Sequence, residues 1–369
     1  MASHFSTLKV EDVRRETADC VSVAFSVPEE LRDEFRFRQG QNITIRYRVD
    51  GAEIRRSYSI CSSPLEEELR IAIKKVPGGL FSTYANDQLY KGAVLEVLPP
   101  TGRFYTELNA VHQKNYLAFA AGSGITPILS LIKTTLATEP HSQFTLVYGN
   151  RHRPSIIFRD ELEALKNRYM QRFALHHILS REKMDTPLNQ GRITSEKCTE
   201  LCGKLIDLPR MDEIFLCGPG EMIFTVKDWL EQKGVDPKKV HFELFNTVDT
   251  ATDSRPGSRA ARKEERQVTD PALKGKTSQV TVKLDGISYD FELPFDGEPI
   301  LDAALQQGAD LPFACKGGVC CTCRAKLVEG KVDMEVNYAL EAEELAAGFI
   351  LTCQSHPRTE RVVVDFDSK

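Results

Sequence analysis

The sequence predicts a multidomain protein in three folded parts: an antiparallel β-barrel, an α/β domain built on a parallel sheet, and a small α+β domain. Three observations predict it. Short alternating apolar runs broken by turn residues fill positions 1–110. Strand-like runs alternate with helical patterns over 111–246. A hairpin signal then opens a cysteine-rich region at 277–369, beyond a polar stretch at 247–276. At 369 residues the chain is too long for one compact core.

In the first part, the runs at 42–47, 55–60, Leu69–Lys74 and 94–98 alternate with a period of two. Asp-Gly and Pro-Gly pairs, such as Gly51 with its preceding Asp and Pro77 with Gly78, separate them as turns. In the second part, strands are expected at 116–120, 144–148, Phe173–Leu179, 213–217 and Val240–Leu244, with helices over 156–169 and 221–233. Phe158, Leu162 and Leu165 read as the packed face of the first helix. In the third part, 280–284 and 287–291 flank Asp285-Gly286, a pair that tolerates the positive φ of a tight hairpin turn. A short helix follows, with Pro299 near its start and Gly308 past its end.

Segment 247–276 is rich in charge, Ser, Thr, Pro and Ala and has no aromatic residue. Such a composition buries too little to offset its ordering entropy, so it reads as a flexible tether. Hydrophobic residues make up 41% and charged residues 27%, a globular balance, and the net charge of −5 is spread out. Nothing in this pattern is built to coat a nucleic acid or an acidic membrane. The first residues carry acids and no apolar signal core, and the most apolar stretch, 117–132, is interrupted by Gly122, Ser123, Gly124 and Pro127. Neither a secretory signal nor a membrane span is expected, and the cytoplasm is the expected compartment.

Ten cysteines in that compartment do not suggest disulfides, and their distribution is uneven. Cys315, Cys320 and Cys323 form C-x4-C-x2-C, and Cys353 follows 30 positions later. Two irons require four thiolates in one small volume, and this is the plant-type spacing of a 2Fe–2S cluster. Gly317 and Gly318 let the backbone come close and aim N–H groups at sulfur. Structural zinc would show two separated C-x2-C pairs, and only one is present. Cys321, between two ligands, reads as a packing residue.

Two further constellations precede the cysteines. Arg56-Ser57-Tyr58-Ser59 ends a strand, and Ile73-Lys74 leads to a Gly78-Gly79-Leu80-Phe81-Ser82 turn that can open a helix on a phosphate. Gly122-Ser123-Gly124-Ile125-Thr126-Pro127 follows a strand and precedes an apolar helix, so bare N–H groups and the helix dipole form a phosphate cradle. Cys217-Gly218-Pro219 ends another strand. Arg151 and Ser180-Arg181 also stand at C-terminal strand ends, where ligands bind in such sheets.

With these motifs the chain resembles the ferredoxin–NADP reductase superfamily, followed by a plant-type ferredoxin domain of β-grasp type. The resemblance implies FAD on R-x-Y-S and G-G-x-x-S. Tyr58 would pack on the isoalloxazine, Ser59 would approach flavin N5, and Arg56 would neutralise the pyrophosphate. Ile73 and Lys74 would follow the ribityl chain, and Gly79, Phe81 and Ser82 would meet the diphosphate. It further implies nicotinamide binding at Gly122, Gly124, Thr126 and Pro127, with Thr126 reaching toward the flavin. Cys217, with Gly218 and Pro219, would stand near nicotinamide C4, making Ser59 and Cys217 the residues at the hydride transfer. Ser180 and Arg181, with Arg151 nearby, would take the 2′-phosphate of NADPH, and no acidic residue stands there to favour NADH. Phe245 would either cover the flavin or let the chain run past it.

The domain order is that of reductase components of multicomponent oxygenases, which pass electrons from NADPH through FAD and a 2Fe–2S cluster. Among these the chain is similar to reductase subunits whose acceptor is a di-iron oxygenase acting on phenylacetyl-CoA. A reductase for a Rieske dioxygenase or a steroid hydroxylase carries the same motifs, and a non-enzymatic electron carrier is the alternative of another class. His176 and His177 read as packed or solvated, and no Ser/His/Asp set or H-E-x-x-H is found.

Overall fold

The computed structural model of the chain describes residues 4–49, 51–245 and 275–368. They gather into two compact units, one of residues 6–54 and 58–245 and the other mainly of residues beyond 245. The predicted tether at 247–276 lies outside the described residues apart from its last two.

The first unit begins with a six-stranded sheet of β1 (Ser6–Thr17), β2 (Cys20–Ser26), β3 (Asn42–Val49), β4 (Ala52–Ser59), β5 (Leu69–Lys74) and β6 (Val94–Thr101). Their order is β4-β3-β6-β1-β2-β5. Ile60, just past β4, bridges Ile71 of β5 antiparallel, so the two edge strands meet and the sheet closes on itself. Leu8, Val10, Val21, Val23, Ile43, Ile71 and Val97 fill the interior. Helix α1 (Leu80–Asp87) follows β5 and buries Phe81 and Ala85.

The same unit continues into a parallel sheet of β7 (Asn115–Ala121), β8 (Gln143–Asn150), β9 (Phe173–Leu179), β10 (Glu213–Gly218) and β11 (Val240–Leu244), ordered β11-β10-β7-β8-β9. Helices α2 (Ile125–Thr138), α3 (Arg159–Arg168), α4 (Ser195–Lys204) and α5 (Gly220–Gln232) connect the strands. The helix expected from 156 starts three residues later. Phe158 holds a left-handed φ of 59° at the N-cap, which turns its ring into the core before the first helical turn. Chain order runs outward from β7 in both directions, so strand order reverses between β7 and β10. That reversal opens a crevice at their C-terminal ends, where open α/β sheets bind ligands.

In the second unit, β12 (Thr277–Leu284), β13 (Ile287–Pro294), β14 (Arg324–Glu329), β16 (Phe349–Leu351) and β18 (Arg361–Asp365) form a mixed sheet ordered β13-β12-β18-β14-β16. Strands β15 (Val332–Met334) and β17 (Ser355–Pro357) pair separately. Asp285 (φ 51°) and Gly286 (φ 74°) make the expected positive-φ turn between β12 and β13. Helix α6 (Ile300–Gln306) buries Ile300, Leu301, Ala303 and Ala304 against this sheet, and the short α7 (Ala342–Ala346) precedes β16. Among the described residues no helix is long and apolar enough to cross a membrane.

Candidate active site

The crevice between β7 and β10 is formed by backbone. A Cβ on Gly124 would lie 2.1 Å from the carbonyl oxygen of Cys217 and 2.7 Å from the nitrogen of Gly218. Only glycine permits that approach, so the Gly-rich turn and the Cys217-Gly218-Pro219 segment are packed as one surface. Helix α2 starts from Gly124 with no side-chain cap, and its first N–H, that of Ile125, is taken up by the carbonyls of Gly122 and Ser123 in the glycine-rich turn that leads into it. Thr126 is buried and its hydroxyl donates to the Ser123 carbonyl at 3.0 Å. Pro127 sits in the first turn, where its missing N–H costs nothing. Gly122 takes φ 55°, and its carbonyl accepts a 2.9 Å bond from the Tyr148 hydroxyl.

Beside this crevice the barrel contributes Ser59. Its Oγ donates to Glu243 Oε2 at 2.7 Å, and Asn42 Nδ2 reaches Glu243 Oε1 at 3.5 Å. Glu243 lies on β11 directly across from Cys217 on β10. Ser59, Cys217 and Glu243 therefore converge from three strands of two sheets. Glu243 keeps part of its surface open, yet loss of hydration pushes its carboxyl up to about 7 against the opposing pull of the Ser59 and Asn42 hydrogen bonds. Burial, then the neighbouring Glu243 charge, pushes the Cys217 thiol well above its ordinary value, so Cys217 is a neutral thiol here. Glu243 is not among the residues that the sequence singles out. Its one signal is a single acid next to the last residue of β11.

The remaining barrel residues form a wall leading to this point. Tyr58 packs on Phe81, with ring centroids 5.8 Å apart, and Phe81 in turn meets Tyr47 at 5.4 Å and Tyr84 at 6.2 Å. Ser82 Oγ accepts from the Val76 backbone N–H at 3.1 Å and donates to the Gly79 carbonyl at 3.3 Å, so it closes the Gly78-Gly79 turn from inside. Gly79 caps α1 with no side-chain bond, which leaves that helix N-terminus open to a phosphate. Ile73 is wholly buried in the barrel and its carbonyl accepts from Asn86 Nδ2 at 3.0 Å, so the residue has no exposed surface of its own to offer a ligand. Lys74 Nζ stands 3.7 Å from Asp19 and 3.9 Å from where a Cβ on Gly122 would lie, spanning barrel and phosphate turn. Arg56 Nη1 donates to its neighbour's carbonyl, that of Arg55, at 2.7 Å. These features fit FAD: a shelf of tilted aromatic rings, an uncapped helix start and, at Lys74, a cation between the barrel and the Gly122 turn.

At the far end of the crevice the backbone N–H groups of Ser180 and Arg181 donate to the carbonyls of Asn150 and Arg151 at 2.9 and 2.8 Å. The pairing places two exposed guanidinium-bearing residues, Arg151 and Arg181, on adjacent strand ends. Phe245 is half-buried and packs against the core of the parallel sheet. His177 is held near 4, below its ordinary value, mainly by burial, and stays neutral.

In the second unit the four cysteines converge. Cys315 and Cys320 sulfurs are 3.1 Å apart, and the Gly317 N–H donates to Cys315 Sγ at 3.3 Å. Pairing of Arg324 with Leu351 brings Cys353 beside Cys323, whose carbonyl accepts from Thr352 at 3.2 Å. Gly318 holds φ 73°, and a Cβ there would meet the Val336 carbonyl at 2.9 Å. Cys321 turns away and donates to the Ala339 carbonyl at 3.2 Å. Hydrogen bonds from Cys320 and Cys353 hold the Cys315 thiol well below its usual value, while those same bonds and burial push Cys320 and Cys353 well above theirs. Ionising all four thiols in this volume would need compensating cations, which the irons of a bound 2Fe–2S cluster would supply to Cys315, Cys320, Cys323 and Cys353.

Three family models cover this architecture in order. An oxidoreductase FAD-binding domain matches residues 7–105, an oxidoreductase NAD-binding domain 119–228, and a 2Fe–2S iron–sulfur cluster binding domain 282–358. One of the component proteins of 1,2-phenylacetyl-CoA epoxidase from Escherichia coli (strain K12) is 48% identical over 365 residues, 99% of this chain and 98% of that protein. The chain belongs to the ferredoxin–NADP reductase-like family that carries a C-terminal 2Fe–2S ferredoxin domain. The reductase is therefore an NAD(P)H-dependent flavin and iron–sulfur oxidoreductase, with FAD and a 2Fe–2S cluster as its cofactors. The ferredoxin reductase component of 3-ketosteroid-9-alpha-monooxygenase from Rhodococcus rhodochrous is 35% identical over 97% of this chain and 96% of that protein. Phthalate dioxygenase reductase shares the reductase's fold, with a TM-score of 0.55 at 23% identity over 98% of each chain.

Proposed function

We propose that the reductase is a cytoplasmic, NADPH-dependent component that supplies electrons to a di-iron oxygenase acting on phenylacetyl-CoA. The observation that carries the acceptor is the similarity, at 48% identity over nearly the whole length of both chains, to the phenylacetyl-CoA epoxidase component. The flavin accepts a hydride and the cluster hands electrons on singly; the protein supplies binding, orientation and electrostatics. Ser59 and Cys217 stand where the flavin and nicotinamide rings would meet, and Tyr58 backs the flavin. Arg56, Ser57, Gly79 and the α1 N-terminus serve the FAD diphosphate, and Gly122, Gly124 and the α2 N-terminus serve the nucleotide. Ser180, Arg181 and Arg151 bind the 2′-phosphate, which favours NADPH over NADH because a guanidinium fork suits a phosphate. Cys315, Cys320, Cys323 and Cys353 are the cluster ligands.

A second reading is supported by the steroid monooxygenase reductase relative at 35% identity: the acceptor is a hydroxylase of another class. Mixing the purified reductase and NADPH with a purified phenylacetyl-CoA epoxidase oxygenase component, and separately with a steroid hydroxylase, distinguishes them. The proposal expects substrate-dependent NADPH consumption with the first. Turnover with the second alone overturns it.

A further inference from the structure

Gln354 follows Cys353, is only 4% exposed, and has its amide committed in three directions. Nε2 lies 3.0 Å from the carbonyl oxygen of Lys316, 2.8 Å from that of Cys353, and 3.5 Å from Cys353 Sγ. The residue is also fixed through its backbone, its N–H donating to Leu351 at 2.9 Å and its carbonyl accepting from Glu335 at 2.9 Å. Its Cγ stands 3.2 Å from where a Cβ on Gly318 would be. A buried primary amide is costly unless it is bonded, and here its bonds join the two chain segments that carry the thiols. Lys316 sits in the left-handed region at φ 49°, a conformation a lysine adopts only when its surroundings hold it.

We propose that Gln354 is a positioning residue of the 2Fe–2S cluster, tying the turn at Lys316 to Cys353 and sharing an amide hydrogen with the Cys353 sulfur. The inference rests on Cys353 serving as a ligand. Nε2 carries two hydrogens for three acceptors; the carbonyls take the shorter contacts, and the sulfur shares one hydrogen. A hydrogen bond to a ligand thiolate gains strength as the cluster takes on negative charge, so it favours the reduced state and raises the reduction potential. Gly317 supplies a backbone N–H to the sulfur of Cys315. Gln354 supplies the same kind of bond at the opposite end of the ligand set.

The test is a redox titration of the full-length holoprotein, followed by electron paramagnetic resonance, on wild type, Gln354→Met and Gln354→His, after iron and sulfide content have been measured. Methionine keeps the length and loses the donor, so the midpoint should move to more negative values, with a severalfold smaller reduced fraction at the wild-type midpoint. Histidine keeps a donor at similar reach and should restore most of that loss. Fully loaded Gln354→Met with an unchanged midpoint overturns the inference. A wild-type protein or a Cys353→Ser variant that contradicts ligation by Cys353 overturns the underlying reading instead. Should Gln354→Met fail to take up iron, wild-type protein labelled with 15N at glutamine side-chain amides decides the matter. Hyperfine coupling of a side-chain amide nitrogen to the reduced cluster is expected, and its absence overturns the inference.

Discussion

Ser59 Oγ donates a 2.7 Å hydrogen bond to Glu243 Oε2, joining the end of the barrel to the last strand of the parallel sheet across 184 positions of chain. The bond stabilises the ionised carboxylate, while burial opposes ionisation and wins, leaving the group near 7. Because this acid's value is raised on folding, it carries no penalty below its unfolded value near 4.5 and costs stability as pH rises toward 7. Glu243→Gln should therefore match wild type at pH 4.5 and gain on it up to pH 7, reaching on the order of 2 kcal/mol after allowing for partial exposure. Thermal melts of the two proteins across that range check the sign; a constant difference would refute it. Flavin reduction by NADPH in wild type should also show a transition near 7 that the glutamine variant lacks.

Gly124 is the contact between the phosphate turn and the Cys217 segment. Adding a methyl group forces backbone against backbone at 2.1 Å, and neither side is a flexible side chain that could swing away. Gly124→Ala should destabilise the first unit by about 1–3 kcal/mol. Displacing the turn from Cys217 should also lower kcat/KM for NADPH by roughly two orders of magnitude, since small misplacements of reacting rings are costly. Steady-state kinetics beside a denaturant melt separates the two effects. Normal turnover would show that the turn and the Cys217 segment act independently.

Much of this fold is legible in the sequence, and the exceptions have physical reasons. Strands β5, β9 and β11 begin and end where alternation and flanking turns place them. Strand β1 is not anticipated, because bulges between Val10 and Asp12 and between Arg15 and Thr17 shift its period and bring charges into the pattern, and β2 is not because six of its seven residues are buried and no exposed face alternates with the core. The pattern misplaces the start of α3 because Phe158 is apolar in helical register yet left-handed in φ. Motifs of adjacent residues, such as the cysteine loop, are readable because their geometry is local. Glu243 is not, since its partner Ser59 is close only after the barrel and the sheet have met.

Arg181 shares a strand-end platform with Arg151 through the backbone bond between them at 2.8 Å. If that platform holds the 2′-phosphate, Arg181→Ala loses a charge-assisted contact that NADH never makes. Such contacts contribute about 1.5–3 kcal/mol, so KM for NADPH should rise by about 10- to 100-fold while that for NADH changes little. Comparing both nucleotides on one variant cancels general damage. An unchanged preference would place the phosphate elsewhere.

Cys320 is 8% exposed, and its sulfur is 3.1 Å from that of Cys315, so it cannot be replaced without disturbing its neighbour. In Cys320→Ser the harder, shorter oxygen should fail to hold iron beside that sulfur, and the cluster absorption should be lost with the flavin bands kept. Reduction of cytochrome c by NADPH should then fall by more than roughly tenfold. Ferricyanide, which the flavin can reduce directly, should still be consumed, because the barrel and the nucleotide sheet share a core that contains none of the cluster cysteines. Loss of both activities would mean that the second unit is needed for the first to fold, and the division of labour between flavin and cluster would have to be abandoned.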